Sequence, residues 1–347
     1  MKVMWNQHKH FLLKNKVLVT SIVVLFAVVL SLVIMYFSTK SKPKDSLDVL
    51  WSGNYTKERA FWKKEIDTVG AEKAYQDFKI DTQGKGFGIA HTLSHIMGEL
   101  IYEKEGINGI VVCDASFAFG CYHSFFGRAI TDGGIESVTT LDELCVKKFG
   151  PKGLGCPHGI GHGVLGYLGN DSLDKALEVC SKLSWKGLFN GCQSGVFMEY
   201  NFHTMQSIQG AQGRVFDSQK PLFPCDTVNK RFSQACYFEL PAWHYATVSH
   251  DYAKTGLLCG LAPIGSMRDA CFKGLGNTIA AGSKYNSEEA INQCELMPKH
   301  QDLLECRAGA SWAFFAEPTT RNKMGVLCEG LSSVDKEYCN EQAKILI

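Results

Sequence analysis

The chain of 347 residues carries a formal charge of +1 and is 45% apolar. That is enough apolar material for a large buried core, and the near-balanced charge, with no basic run in the body, removes the electrostatic case for a nucleic-acid partner. Fourteen cysteines lie between Cys113 and Cys339, and none precedes them.

Residues 17–37 form an uncharged apolar run of 21, long enough to cross a bilayer and too long for the core of a signal peptide. We expect a single transmembrane helix there, the chain's attachment to the membrane, with residues 1–16 as a cytoplasmic tail. Lys2, Lys9, Lys14 and Lys16 precede the run, and Lys40, Lys42 and Lys44 follow it, partly offset by Asp45 and Asp48. The positive-inside bias is therefore modest. The cysteines decide the orientation, because such a density after a membrane segment indicates an oxidising compartment, periplasmic or extracellular. A cleaved signal peptide is the rival reading, and no small-residue cleavage site follows Tyr36.

Residues 38–50, polar and Lys-rich with Pro43, read as a linker. Over residues 51–84, Trp62, Ile66, Val69, Tyr75 and Phe78 recur near helical spacing, so one or two lead-in helices are expected. Gly84, Gly86 and Gly88 interrupt that pattern ahead of a cysteine-rich domain spanning 85–347.

That domain repeats. Taken in order, the cysteines pair as Cys113 with Cys121, Cys145 with Cys156, Cys180 with Cys192, Cys225 with Cys236, Cys259 with Cys271, Cys294 with Cys306 and Cys328 with Cys339. The second members step along the chain by 33 to 36 residues, except for one step of 44 that holds an insertion between Phe202 and Cys225. A period near 35 repeated about seven times is the signature of an αα-hairpin solenoid, so the fold class is expected to be all-α. In each unit a first helix opens on a capping residue, as in the Thr140–Glu143 capping box, Ser172 and Ser287, and carries its cysteine near its end. The second helix is expected to begin at the second cysteine. Glycine three residues later (Gly159, Gly195, Gly274, Gly309), with Ser124 and Glu239 as the exceptions, implies a close backbone approach, most simply between the two helices of a hairpin.

In an antiparallel hairpin the end of one helix lies beside the start of the next, so a disulfide there staples the unit. Linking each second cysteine to the following unit's first is also conceivable, but it leaves Cys113 and Cys339 unpaired; pairing within units is preferred. No CxxC occurs, which argues against thiolate zinc sites. The period, the paired cysteines and the small residues over about 85–345 resemble the tetratricopeptide-related solenoids, in particular the secreted cysteine-rich subgroup with one disulfide per hairpin. The Trp, Leu-Gly and Tyr signature of the tetratricopeptide is missing. The resemblance implies a concave face that binds a protein or peptide.

The histidines carry the chemistry. Two residues after the second cysteine stand His123 and His158, and six after it stands His162; with Ile89 placed at the cysteine position, His91 and His95 fall on the same two registers. Matched positions on neighbouring helices face one way, so the five imidazoles are expected to converge on a transition metal, zinc, copper, iron or nickel. Glu99, Arg128, Tyr167 and Glu199 are candidates to orient those ligands. A polar peptide-binding groove and plain packing compete with this reading, and five rings at matched registers favour the metal. His8, His10, His203, His244, His250 and His300 lie off those registers and read as ordinary residues. No HExxH, GxSxG, phosphate loop or CxxCH occurs, so no nucleotide cofactor or catalytic residue is assigned.

Overall fold

The computed structural model describes residues 55–82, 87–150, 155–185, 187, 189, 191–207, 213–248 and 250–345. The apolar run 17–37 lies outside them, and among the described residues no helix is long and apolar enough to cross a membrane. The chain divides into two compact units, Met1–Phe61 and Trp62–Ile347. The second contains all fourteen cysteines.

Every described element is helical. In chain order they are α1 (Tyr55–Val69), α2 (Ala71–Thr82), α3 (Phe87–Glu105), α4 (Gly120–Gly133), α5 (Ser137–Phe149), α6 (Cys156–Leu168), α7 (Leu173–Ser181) and α8 (Cys192–Phe202). There follow the short α9 (Thr204–Ser207), then α10 (Lys230–Val248), α11 (Tyr252–Cys259), α12 (Ser266–Gly282), α13 (Ser287–Cys294), α14 (His300–Ala316) and α15 (Ser333–Ile345). All fourteen cysteines are joined as seven local disulfides, Cys113–Cys121, Cys145–Cys156, Cys180–Cys192, Cys225–Cys236, Cys259–Cys271, Cys294–Cys306 and Cys328–Cys339. Their Cα–Cα distances run from 5.3 Å to 5.9 Å, the span a disulfide bridges without displacing backbone.

Several local expectations need correcting. α5 starts at Ser137, whose hydroxyl donates to Gly134 O at 2.7 Å, so Thr140 and Glu143 sit inside the helix and form no capping box. α13 is capped by Asn286, whose side chain accepts from the Glu289 N–H at 3.1 Å, one residue before Ser287. α6 and α8 do begin at their cysteines, but α10, α12, α14 and α15 begin five or six residues earlier. In three units the described residues that lead directly into the first cysteine form no α-helix: Cys113 and Cys328 follow or end 3-10 segments, Gly106–Val111 and Arg321–Cys328, and Cys225 lies in irregular chain.

The glycines report a different contact from the one expected. A Cβ on Gly195 would stand 1.9 Å from His158 O, one on Gly274 1.8 Å from Phe238 O, and one on Gly309 1.9 Å from Lys273 O. Each of those carbonyls belongs to the second helix of the preceding unit. The close approach is thus between successive second helices, and within each hairpin the disulfide makes the link. Accordingly α3, α4, α6, α8, α10, α12, α14 and α15 pack in sequence, each on the next, while α5, α7, α11 and α13 flank the row. Phe125, Phe126, Phe197, Trp243, Trp312 and Phe314 are buried in it as core. Burying such a ring is worth about 2–3 kcal/mol, so the row rather than the hairpin is the unit of apolar stabilisation.

The same contact fixes the register of α3. A Cβ on Gly161 would meet Cys192 O at 2.0 Å and one on Gly276 would meet Cys306 O at 1.9 Å; on α3 the equivalent is Gly98, 2.1 Å from Cys121 O. Gly161 and Gly276 each lie five residues after a cysteine, which puts Leu93, not Ile89, at the cysteine position. Burial agrees, since Leu93 is inside and Ile89 is 52% exposed. His95 therefore shares its slot with His123 and His158, Glu99 shares that of His162, and His91 stands one turn earlier.

Candidate metal centre

Despite the shifted register, the five rings meet. His91 and His95 project from α3, His123 from α4, and His158 and His162 from α6, and neighbouring ring centroids are 4.1 to 5.5 Å apart. Within each helix the spacing of four stacks two rings one turn apart. Between helices, the glycine contacts draw the backbones close enough for rings on neighbouring helices to touch. His162 is fully buried, His123 1% exposed, and His95 and His158 4%.

The nitrogens are specifically placed. His91 Nδ1 bonds Phe117 O at 2.7 Å, leaving its Nε2 3.2 Å from His95 Nε2, which is itself 3.3 Å from His123 Nδ1. His162 Nδ1 bonds Glu199 Oε2 at 3.0 Å and lies 3.0 Å from Thr204 Oγ1, while its Nε2 is 3.1 Å from His158 Nε2. Among the described residues His123 Nε2 and His158 Nδ1 are buried with no hydrogen-bond partner. Two groups of three follow, His91/His95/His123 and His123/His158/His162, each with its ligand atoms within 4.8 Å of one another. Four nitrogens around a zinc-like ion at about 2.0–2.1 Å would sit about 3.4 Å apart, close to the spacings seen.

Burial pushes the titration of all five rings below the ordinary histidine range, that of His158 to about 3, with the neighbouring imidazoles adding to the effect on His95, His123, His158 and His162. At neutral pH the rings are uncharged and keep the lone pairs that a metal needs. Glu199 moves the other way, pushed up to about 7 by burial against the opposing hydrogen bonds of the Thr204 hydroxyl and the Met205 and Thr204 N–H groups.

Of the four residues expected to orient the ligands, Glu199 bonds His162. Arg128 pairs with Asp132 at 3.5 Å, and Glu99, Arg128 and Tyr167 line a cavity of about 410 Å³ together with Gly163, Thr204 and Met205. Thr204 joins that cavity to His162. Two contributors had no sequence signal. Thr204 lies in the insertion, and the Phe117 carbonyl is delivered by a turn in which Phe117, Ala118 and Phe119 have φ of 56°, 48° and 64°. Three successive left-handed residues, none of them glycine, cost about 1–2 kcal/mol each, and the surroundings hold them there. The Cys113–Cys121 disulfide closes the loop, Phe78 packs edge-on to Phe117 at 5.5 Å, and Asp114 accepts from Tyr75 and Lys79 of α2. Of the off-register histidines, His8 and His10 lie outside the described residues, and others have partners of their own. His244 bonds Pro221 O at 2.8 Å, His203 ends α8 with φ of 51°, and His300 pairs with Asp335 at 3.2 Å.

No protein family, no curated protein and no solved structure matches this chain. The all-helical architecture with seven disulfides is consistent with a helical-repeat protein, and no family relation to the tetratricopeptide proteins is supported.

Proposed function

We propose that this chain is an extracytoplasmic helical-repeat protein, anchored by residues 17–37, that binds a transition metal through His91, His95, His123, His158 and His162. The observation that carries this is the convergence of imidazole nitrogens at 3.1–3.3 Å in a buried site, with two further ring nitrogens lacking any hydrogen-bond partner. Buried polar atoms are rarely left unpaired without a reason. A metal supplies one, because a lone pair without a hydrogen-bond donor is what an ion consumes. The Phe117 carbonyl and the Glu199 carboxylate fix two of the rings in the way that acceptors behind ligating histidines do. Seven disulfides support an oxidising compartment. An open polar groove for a peptide is less well supported, since the rings face one another.

The test is metal content. After expression in an oxidising host, stripping and reloading, the full chain should hold at least about one ion per chain, and His123→Ala and His158→Ala should each lower the metal held per chain well below the wild-type level. The double variant should hold little less than His123→Ala alone, because that ring belongs to both groups of ligands. His244→Ala is the control and should keep its metal. Full occupancy in His123→Ala and His158→Ala with a lowered melting temperature would make the rings packing groups and give the lead to a protein-binding scaffold.

A further inference from the structure

The ligand nitrogens do not form one shell of five. They fall into two triplets that share a single residue, His123. Its Nδ1 belongs to the first triplet, 3.3 Å from His95 Nε2, and its Nε2, across the ring, is buried without a hydrogen-bond partner. Proton bookkeeping sharpens the point. With the His91 Nδ1 proton committed to Phe117 O, His91 Nε2 is a lone pair, and the single Nε2 proton of His95 cannot satisfy both His91 Nε2 at 3.2 Å and His123 Nδ1 at 3.3 Å. In the second triplet, when ionised Glu199 takes the His162 Nδ1 proton, the His162 Nε2 lone pair faces His158 Nε2 at 3.1 Å. Each triplet thus has its own orienting acceptor, the Phe117 carbonyl for one and the Glu199 carboxylate for the other.

We propose that the cluster is a two-ion centre in which the His123 ring bridges two divalent transition-metal ions, one held by His91, His95 and His123 Nδ1, the other by His158, His162 and His123 Nε2. This rests on the metal-binding reading and goes beyond it in stoichiometry and in the role of one residue. A bridging imidazole has a metal–nitrogen bond at each ring nitrogen, so the one proton of neutral His123 leaves to solvent and the ring becomes imidazolate. Each ion then has three protein ligands and an open position, the arrangement found where metals take up water or a small anion. All-imidazole ligation at this spacing suits copper(II) and zinc(II).

The experiment uses the full-length chain with its disulfides formed, stripped with a chelator and titrated with copper(II), with metal per chain read after desalting and unpaired spins read by electron paramagnetic resonance. The expected result is about two ions per chain with a low-temperature signal far below two spins, since copper ions joined by an imidazolate couple antiferromagnetically. His91→Ala and His162→Ala should each bind about one ion with its full single-spin signal, and any copper retained by His123→Ala should be uncoupled. One ion per wild-type chain would overturn the two-ion centre and leave metal binding standing. Two ions with the full two-spin signal would overturn the bridge. No ion at all would overturn both this inference and the function on which it rests. The decisive numbers come from the wild-type chain, so no variant has to fold for the inference to fail.

Discussion

The repeats ahead of the insertion and those behind it use the same slots for opposite ends. Two residues after the second cysteine, the early second helices carry His123 and His158, and the later ones carry Phe238, Lys273 and Ala308. Behind the insertion, buried charge is paired: Lys273 meets Glu305 at 2.7 Å, and Arg268 makes two 2.7 Å bonds to Asp302. Ahead of it, the imidazoles face one another, two ring nitrogens are unpartnered, and a left-handed turn is held in place. Both halves keep the same helix-to-helix glycine contact, so the difference lies in side-chain chemistry on a common backbone. Unpaired buried polar atoms occur on both sides, Tyr237 Oη, His244 Nδ1 and Trp312 Nε1 behind the insertion among them; what sets the early repeats apart is that theirs are ring nitrogens gathered among other imidazoles, the arrangement on which the metal-binding proposal rests.

The largest expected effect tests the ion-paired half. Asp302→Ala strands the Arg268 guanidinium, whose other partner is Gly260 O, and should cost about 3–5 kcal/mol in denaturant unfolding. Metal binding should stay at the wild-type level. Lost metal in a folded Asp302→Ala protein would mean that the two halves are coupled and the comparison is wrong.

Acid should act on the other half. Unfolded, the clustered histidines titrate near 6.5; folded, all five titrate lower, His158 at about 3. Below about pH 6.5 the unfolded chain takes protons that the folded chain refuses. Stability of the metal-free protein is therefore complete above that pH and falls with acid by up to about 1.4 kcal/mol per pH unit for each ring. Glu199 and Glu239, raised by burial to about 7 and about 8, have the opposite sign, and their contribution is lost as pH rises from the usual carboxylate range through those values. Between about pH 4.5 and 6.5 these carboxyls, joined by Glu317 and Asp269, which burial also raises, oppose the five rings and His244, lowered to about 4, and the net slope should follow the rings. A melting temperature flat across that window would show that the imidazoles are not buried as described.

A smaller effect sets one half against the other directly. Gly161→Ala and Gly276→Ala each drive a methyl group into a carbonyl, of Cys192 and Cys306 respectively, and each should cost about 1–3 kcal/mol as overpacking. Gly161 lies between His158 and His162 and faces the helix that carries Glu199, so only Gly161→Ala should also weaken metal binding, by calorimetric titration. Equal metal affinity in both variants would detach the site from the backbone contact.

Much of this was legible in the chain. The seven cysteine pairs could be read from spacing because disulfide geometry tolerates only short Cα separations, and a tight reversal of the chain, helical hairpin or not, brings two residues 8 to 12 apart side by side. The five histidines could be read because a spacing of four places two rings on one helix face, whatever surrounds the helix. The register of α3 could not be read, since it has no cysteine to mark it, and the choice of Ile89 over Leu93 put His91 and His95 one turn out of step. The glycines announced close approach but not its partner. A missing Cβ says that something is near, and only the packed helices show that it is the neighbouring unit's carbonyl. Capping was misread at Thr140 because the helix could begin a turn earlier at Ser137, where the backbone turn at Gly134 supplies the bond.

What the sequence by itself determined, then, is what depends on local geometry and composition: helices, their pairing through sulfur, and two histidine pairs plus one. Tertiary structure decided how those five were grouped, into two triplets around His123, and which groups stand behind them. The Phe117 carbonyl and Thr204 come from an unusual turn and an insertion, where no periodicity operates. Their place is set by disulfide closure, by the packing of Phe78, and by the burial of Glu199, interactions between residues far apart in the chain that become visible only when the helices are assembled.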